Sequence, residues 1–169
     1  MPRHKKRPTI ATSYLHSSFF GIEDSLVSTT GLIAGVSVAT TDTSFILLAG
    51  CVAVAVEAIS MATGEFLSEE TDQDFTKKKL HSSPIVGGLI MFVSYGLAGM
   101  VPIIPFAIFP PEYALIASMT AALIGLFVLG LVKGKLTHKN IFRSGLQVLI
   151  VGGISAMIGV AVGVIFKGI

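Results

Sequence analysis

Five runs of mostly apolar residues, each long enough to cross the hydrocarbon core of a bilayer, fill most of this 169-residue chain. A membrane-crossing helix takes about 20 such residues, each adding about 1.5 Å of rise. The runs fall at 17–40, 44–67, 85–109, 112–132 and 145–166. A water-soluble domain carries charge on about a quarter of its residues. Here the charged share is 13% and the hydrophobic share 52%. The sequence therefore predicts an all-α membrane protein of five transmembrane helices, one domain over 1–169 with no room for a second.

Charge placement predicts the orientation. Arg3, Lys5, Lys6 and Arg7 precede the first span, and Lys77, Lys78 and Lys79 lie between the second and third. Lys133, Lys135, Lys139 and Arg143 lie between the fourth and fifth. With five spans these segments share one side and hold eleven of the twelve basic residues, leaving Lys167 opposite. The positive-inside rule makes that side cytoplasmic, with the N-terminus there and the C-terminus outside or lumenal. No small-residue cleavage site follows the basic run, and acids sit in the first span, so it reads as a mature helix rather than a signal peptide. Cys51 is alone, so no intrachain disulfide is expected.

The external connections are short, at Thr41-Asp42-Thr43 and Pro110-Pro111. The cytoplasmic ones read as loops of 17 residues (Ser68 to Pro84) and 12 residues. The first splits into an acidic half, Glu69, Glu70, Asp72 and Asp74, and a basic half at Lys77 to Lys79. Gly31 and Gly35, and Gly159 and Gly163, have the small-xxx-small spacing that lets helix backbones approach in lipid, within the chain or between two copies. Pro102 and Pro105 interrupt the third span, and the carbonyls they free need partners, which predicts a bend beside a polar cavity.

The chemistry lies in the first two spans. Glu57, Met61 and Glu65 are four residues apart, so they stack on one face of the second helix. In the first span Asp24 and Ser28 share a face, with Glu23 beside them. Counted from the cytoplasmic edge, Asp24 lies roughly 10 Å deep, Met61 roughly 9 Å and Glu57 roughly 15 Å, so Asp24 and Met61 are expected to be level. An ionisable side chain at membrane depth costs about 2.5–3.5 kcal/mol on insertion scales and marks function by default. No Lys or Arg falls inside the five runs, so Glu23, Asp24, Glu57 and Glu65 are expected to lack a basic partner within the membrane. Such carboxylates must be protonated, hydrogen-bonded or bound to a cation, and a site that trades protons for a metal ion passes through each state. The thioether of Met61 adds a softer donor that favours transition metals over magnesium or calcium. Glu57 reads as deep and Glu65 as the cytoplasmic mouth. The four histidines, His4, His16, His81 and His138, read as interfacial and solvated.

These residues resemble the vacuolar iron transporter (VIT) family, the iron and manganese exporters of yeast and plant vacuoles, with many prokaryotic relatives. Gly21, Asp24, Leu26-Val27-Ser28 and Gly31-Leu32-Ile33-Ala34-Gly35-Val36 resemble the family's first-span pattern. Ser60-Met61 and Gly64-Glu65-Phe66-Leu67-Ser68 resemble its second. Ser94-Tyr95 with Pro102 and Pro105-Phe106 looks like its third-span kink. Gly130-Leu131-Val132-Lys133-Gly134 and Ser144-Gly145-Leu146-Gln147 resemble its fourth-to-fifth connection. Ser25 departs from the usual glycine after the aspartate, and the segment Ser68 to Pro84 is too short for the glutamate-rich cytoplasmic domain of many eukaryotic members.

The resemblance implies that Asp24 and Met61 bind metal, with Glu57 and Glu65 as nearby acidic groups. Glu23 and Glu69 join as outer candidates, and the acids after Glu65 stand as a reduced substitute for the missing domain. It also implies a homodimer in membrane lipid that exchanges cytoplasmic Fe²⁺ or Mn²⁺ for protons along the dimer interface. The expected residence is the cell membrane of a prokaryote, or a vacuolar or other endomembrane of a eukaryote. The ions are cargo; no cofactor, enzymatic activity or nucleic-acid partner is read. Two rivals are an exporter of organic cations, which calls for aromatic residues around a membrane carboxylate, and a non-transporting anchor that docks an iron-storage partner. Near Glu57 and Glu65 in sequence the only aromatic is Phe66.

Overall fold

The apolar runs all become helices. The computed structural model of the chain describes residues 10–76 and 83–167. They form α1 (Ile10–Ala39), α2 (Thr43–Thr76), α3 (Pro84–Ile108), α4 (Pro111–Leu136) and α5 (Ile141–Phe166). The basic N-terminal run, Lys77 to Lys79, His4 and His81 lie outside the described residues.

Local sequence explains the joints. Asp42 caps α2 by accepting from the amides of Ser44 at 2.9 Å and Phe45 at 3.3 Å. Asn140 caps α5 by accepting from Arg143 N at 3.0 Å. Proline opens both α3 and α4, where its fixed φ suits the first turn and its missing N–H costs nothing.

Several expected boundaries are corrected. α2 does not end at 67 but continues to Thr76, so Glu69, Glu70, Asp72 and Asp74 are helical rather than in a loop. The α1 start moves from 17 to Ile10, the α4 end from 132 to Leu136 and the α5 start from 145 to Ile141. The connection between α4 and α5 thus shrinks to residues 137–140. Hydropathy marks where lipid contact ends, whereas helix hydrogen bonding runs on past it.

α1 touches each of the other four helices and sits at the centre of the bundle. One core packs Ile33, Ile46, Val54, Ala58, Tyr95 and Phe106, and a second packs Leu26, Ala98, Leu126 and Val148. The large apolar side chains left outside, such as Val56, Ile59, Leu97, Ile116 and Met157, need lipid as their solvent. The segments Thr43–Phe75, Pro84–Ile108, Glu112–Leu136 and Ile141–Phe166 are long and apolar enough to cross a membrane. The chain is a multi-pass membrane protein. α1 is long enough but more polar, with Ser17, Ser25, Thr29 and Thr30 buried in the bundle.

Glycine sets the closest approach. The Gly31–Gly35 and Gly159–Gly163 pairs face each other within the chain: a Cβ on Gly159 would run into the Gly31 carbonyl, and one on Gly163 into that of Gly35. These stripes lock α1 to α5 by backbone contact. The bend expected at Pro102 and Pro105 does not break α3, and both prolines are buried. Ser25 donates to the Tyr95 carbonyl at 2.7 Å and Ser118 to the Pro102 carbonyl at 2.6 Å, which ties α1 and α4 to α3.

Candidate functional site

The seam between α1 and α2 is joined by hydroxyl–carboxylate bonds. Ser13 donates to Glu69 Oε1 at 2.8 Å, Ser17 to Glu65 Oε1, and Ser28 to Glu57 Oε2 at 3.1 Å. Glu57, Met61, Glu65 and Glu69 form one stripe at four-residue spacing, so the stripe foreseen on α2 gains a fourth member one turn further on. Read between the Ser17–Glu65 and Ser28–Glu57 pairs, the antiparallel register brings Met61 level with Gly21 to Asp24. Met61 itself is half-buried against the core that contains Tyr95.

At the deep end three helices meet. Tyr95 of α3 is fully buried; its hydroxyl donates to Glu57 Oε2 and shares a 2.7 Å hydrogen bond with Ser28.

Glu23 behaves differently. Lys133 donates to Glu23 Oε2 at 2.9 Å, so the expectation that Glu23 lacks a basic partner is corrected. The reason is the longer α4: Lys133 lies one residue past the apolar run but inside the helix, and its flexible stem carries the ammonium back to α1. Glu69 sits at the other extreme of the seam. Its Oε2 is buried with no hydrogen-bond partner, and a Cβ on Gly87 would lie 2.9 Å from it. The hydroxyl of Thr29, itself buried, is also unpartnered.

Among the described residues no three His, Cys, Asp or Glu side chains gather closely enough to hold a metal ion. The carboxylates are strung along the seam instead. His16 stacks on Phe20 at the surface of α1, and His138 occupies the turn before α5 with φ 54°. Beside the seam an apolar groove of about 440 Å³ begins at Ser28 and runs between α1 and α5 to Ala39 and Phe166. Ser25, the departure from the family pattern, is accommodated by Gly99, where a Cβ would lie 2.8 Å from the serine oxygen.

Sequence reasoning placed none of Ser13, Ser17, Tyr95 and Lys133 at the site. The serines had a signal, since 13 and 17 repeat the four-residue spacing of 65 and 69. Tyr95 had a weaker one, as a buried tyrosine hydroxyl needs a partner.

A central helix wrapped by apolar ones, with hydroxyl–carboxylate bonds along one of its seams, defines a multi-pass helical membrane protein with a polar seam. The family model described as VIT family matches residues 15–83 and 76–164. Vacuolar iron transporter homolog 3 of Arabidopsis thaliana is 33% identical over 85% of this chain and 78% of its own length. Vacuolar iron transporter homolog 4 of the same plant is 32% identical over 85% of this chain and 79% of its own length. Vacuolar iron transporter 1 of Tulipa gesneriana is 23% identical over 92% of this chain and 88% of its own. That last alignment is 218 residues long, more than this chain contains, so the tulip protein carries inserted residues. The chain belongs to the VIT family.

Proposed function

We propose that this protein moves Fe²⁺ or Mn²⁺ out of the cytoplasm in exchange for protons, as a homodimer with five membrane-spanning helices. The observation that carries the reading is the hydrogen-bonded Glu57–Tyr95–Ser28 group beside Asp24: ionisable groups at membrane depth, held by hydroxyls rather than by cations. Asp24 and Met61 bind the metal, and Glu57 lines the deep end of the path. Glu65 and Glu69 line the mouth, and Glu23, occupied by Lys133, is a supporting charge. The scattered carboxylates suit a site completed by a second copy across the exposed face of α2, where nothing lies within 4 Å of a Cβ built on Gly64.

Orientation follows from charge. Lys133, Lys135, Lys139 and Arg143 lie at the end of the bundle that holds the start of α1, with Lys167 at the other, a distribution that supports an N-terminus in the cytoplasm. The relatives' names favour an endomembrane. α1 spans as the fifth helix because the bundle, not lipid, surrounds its polar groups. Tyr95 meets Glu57 through its hydroxyl rather than its ring face, which gives an organic cation no aromatic seat.

The test is metal-dependent proton flux in proteoliposomes. Asp24→Ala and Met61→Ala should each abolish it while the protein still assembles. Wild-type flux in both variants would falsify the site assignment; docking of a partner without any flux from wild type would favour the anchor reading.

A further inference from the structure

We propose that the groove where α1, α3 and α4 meet binds one anionic phospholipid, with an acyl chain in the groove and the phosphate on the ammonium of Lys133. The site is separate from the α1–α2 seam and does not depend on what the protein transports.

The groove has a volume of about 560 Å³. Ile22 and Leu26 of α1, Leu97 and Val101 of α3, and Val128 and Val132 of α4 line it. Among the described lining residues only Ser94 has a polar side chain. Small residues leave the space: Ala98 on α3, and Gly125 on α4, where a Cβ would come within 3.4 Å of Leu26. The rim is open, with Leu97 70% and Val128 50% exposed. From Gly125 to Val132 the groove follows α4 for about 10 Å. An empty groove in hydrocarbon forfeits dispersion contacts along its walls, so a lipid chain is the occupant that fits.

One end of the groove carries a cation. Lys133 lies four residues after Leu129, and Glu23 four after Phe19, so each shares a helix face with a residue that lines the groove. The 2.9 Å Lys133–Glu23 pair therefore stands at the groove's edge. An ammonium has three donors, and the Lys133 side chain is 43% exposed, which leaves it within reach of a phosphate as well as of Glu23. Lys133 directly follows the apolar run, at the depth where headgroups begin. Lys135, Lys139 and Arg143 lie at the same end, and the one acid of α4 and α5, Glu112, lies at the opposite end of α4. That excess of positive charge favours a net-negative headgroup over a zwitterionic one. The α2–α3 groove of about 350 Å³, lined by Phe66 and Leu89, has no such match, because Glu65, Glu69 and Glu70 flank Phe66 on α2.

The chain has no tryptophan, so one placed at the rim by Leu97→Trp reports on what fills the groove. The experiment is quenching of its fluorescence in phosphatidylcholine vesicles that contain either dibrominated phosphatidylglycerol or dibrominated phosphatidylcholine. Size exclusion first establishes that each variant assembles. The brominated phosphatidylglycerol should occupy the site about fivefold more favourably, the effect of one interfacial lysine on an anionic lipid. Adding Lys133→Gln with Glu23→Gln, which conserves net charge, should remove the preference. Adding Val128→Phe, which fills the groove and leaves Lys133 in place, should remove it too. Leu89→Trp, in the α2–α3 groove, should show no preference. Equal quenching by the two lipids at Leu97→Trp overturns the proposal, as does a preference that survives loss of Lys133 or is equally strong at Leu89→Trp. Absence of quenching by either lipid means that protein, such as a second copy, covers the groove, and overturns it as well. Should the glutamine pair fail to assemble, Val128→Phe carries the comparison, and a preference that it leaves intact overturns the site.

Discussion

Tyr95 and Glu57, on α3 and α2, are joined by a hydrogen bond that no sequence spacing announces, and Ser28 of α1 closes the group. The bond fixes the deepest carboxylate of the α2 stripe and ties the two helices that carry the proposed path to a third. Tyr95→Phe keeps the ring and removes one proton donor. It should destabilise the protein by about 1–3 kcal/mol, the scale for stranding a buried polar partner. Thermal unfolding in detergent, followed by size exclusion, reads this directly; an unchanged midpoint would show that the bond contributes nothing.

The same group predicts coupling between its members. Tyr95→Phe and Ser28→Ala should be non-additive by about 0.5–3 kcal/mol, because each removal changes what the other hydroxyl can bind. A double-mutant cycle on unfolding midpoints measures it.

Met61 gives a prediction about chemistry rather than fold. Met61→Leu conserves volume and should cost less than about 1.5 kcal/mol of stability. It removes the soft donor, so Mn²⁺ flux should be kept better than Fe²⁺ flux. Parallel uptake of the two ions tests it, and an equal loss of both would assign Met61 a packing role only.

The glycine stripes predict a sharp contrast. Gly159→Ala sets a methyl group against the Gly31 carbonyl and should cost about 1–3 kcal/mol or more. Gly153→Ala, on the same helix with nothing within 4 Å, should be neutral or stabilising. Unfolding midpoints of the two variants that coincide would show that the close approach is relaxed at no cost.

The end of the seam nearest the start of α1 rests on two hydroxyls. Ser13→Ala with Ser17→Ala leaves Glu65 and Glu69 without the donors they now have. Amide exchange in the first two turns of α1 and the last two of α2 should speed up, while α3 and α5 are unaffected. Uniform exchange across all helices would instead point to global loosening.

The five helices were legible because each contains a long, mostly apolar run, and Glu57, Met61 and Glu65 because charge is rare in such runs. The four-residue spacing was enough to place them on one face. What escaped was everything set by contacts between helices. Lys133 looked like part of a cytoplasmic loop since hydropathy stops at 132, yet α4 runs on and its stem reaches Glu23. The acids from Glu69 onward looked like loop because polarity and helix are easily confused at a membrane edge. The glycine spacing announced close packing but could not choose its partner; only the fold sets Gly35 against Gly159. Ser25 read as a departure from pattern, and the space it needs lies in Gly99, seventy-four positions away.

The polar centre of the bundle has a consequence for biogenesis. α1 precedes the other helices in the chain, so it reaches the insertion machinery before them, yet it is the helix least suited to lipid. With Glu23 and Asp24 each costing about 2.5–3.5 kcal/mol in hydrocarbon, it gains little from entering alone. The Glu23 carboxylate finds Lys133 only after α4 has been made. In the five-span reading, the first helix must therefore wait at the membrane surface or in the translocon until its later companions arrive, and its topology is settled by the assembled chain rather than by its own sequence.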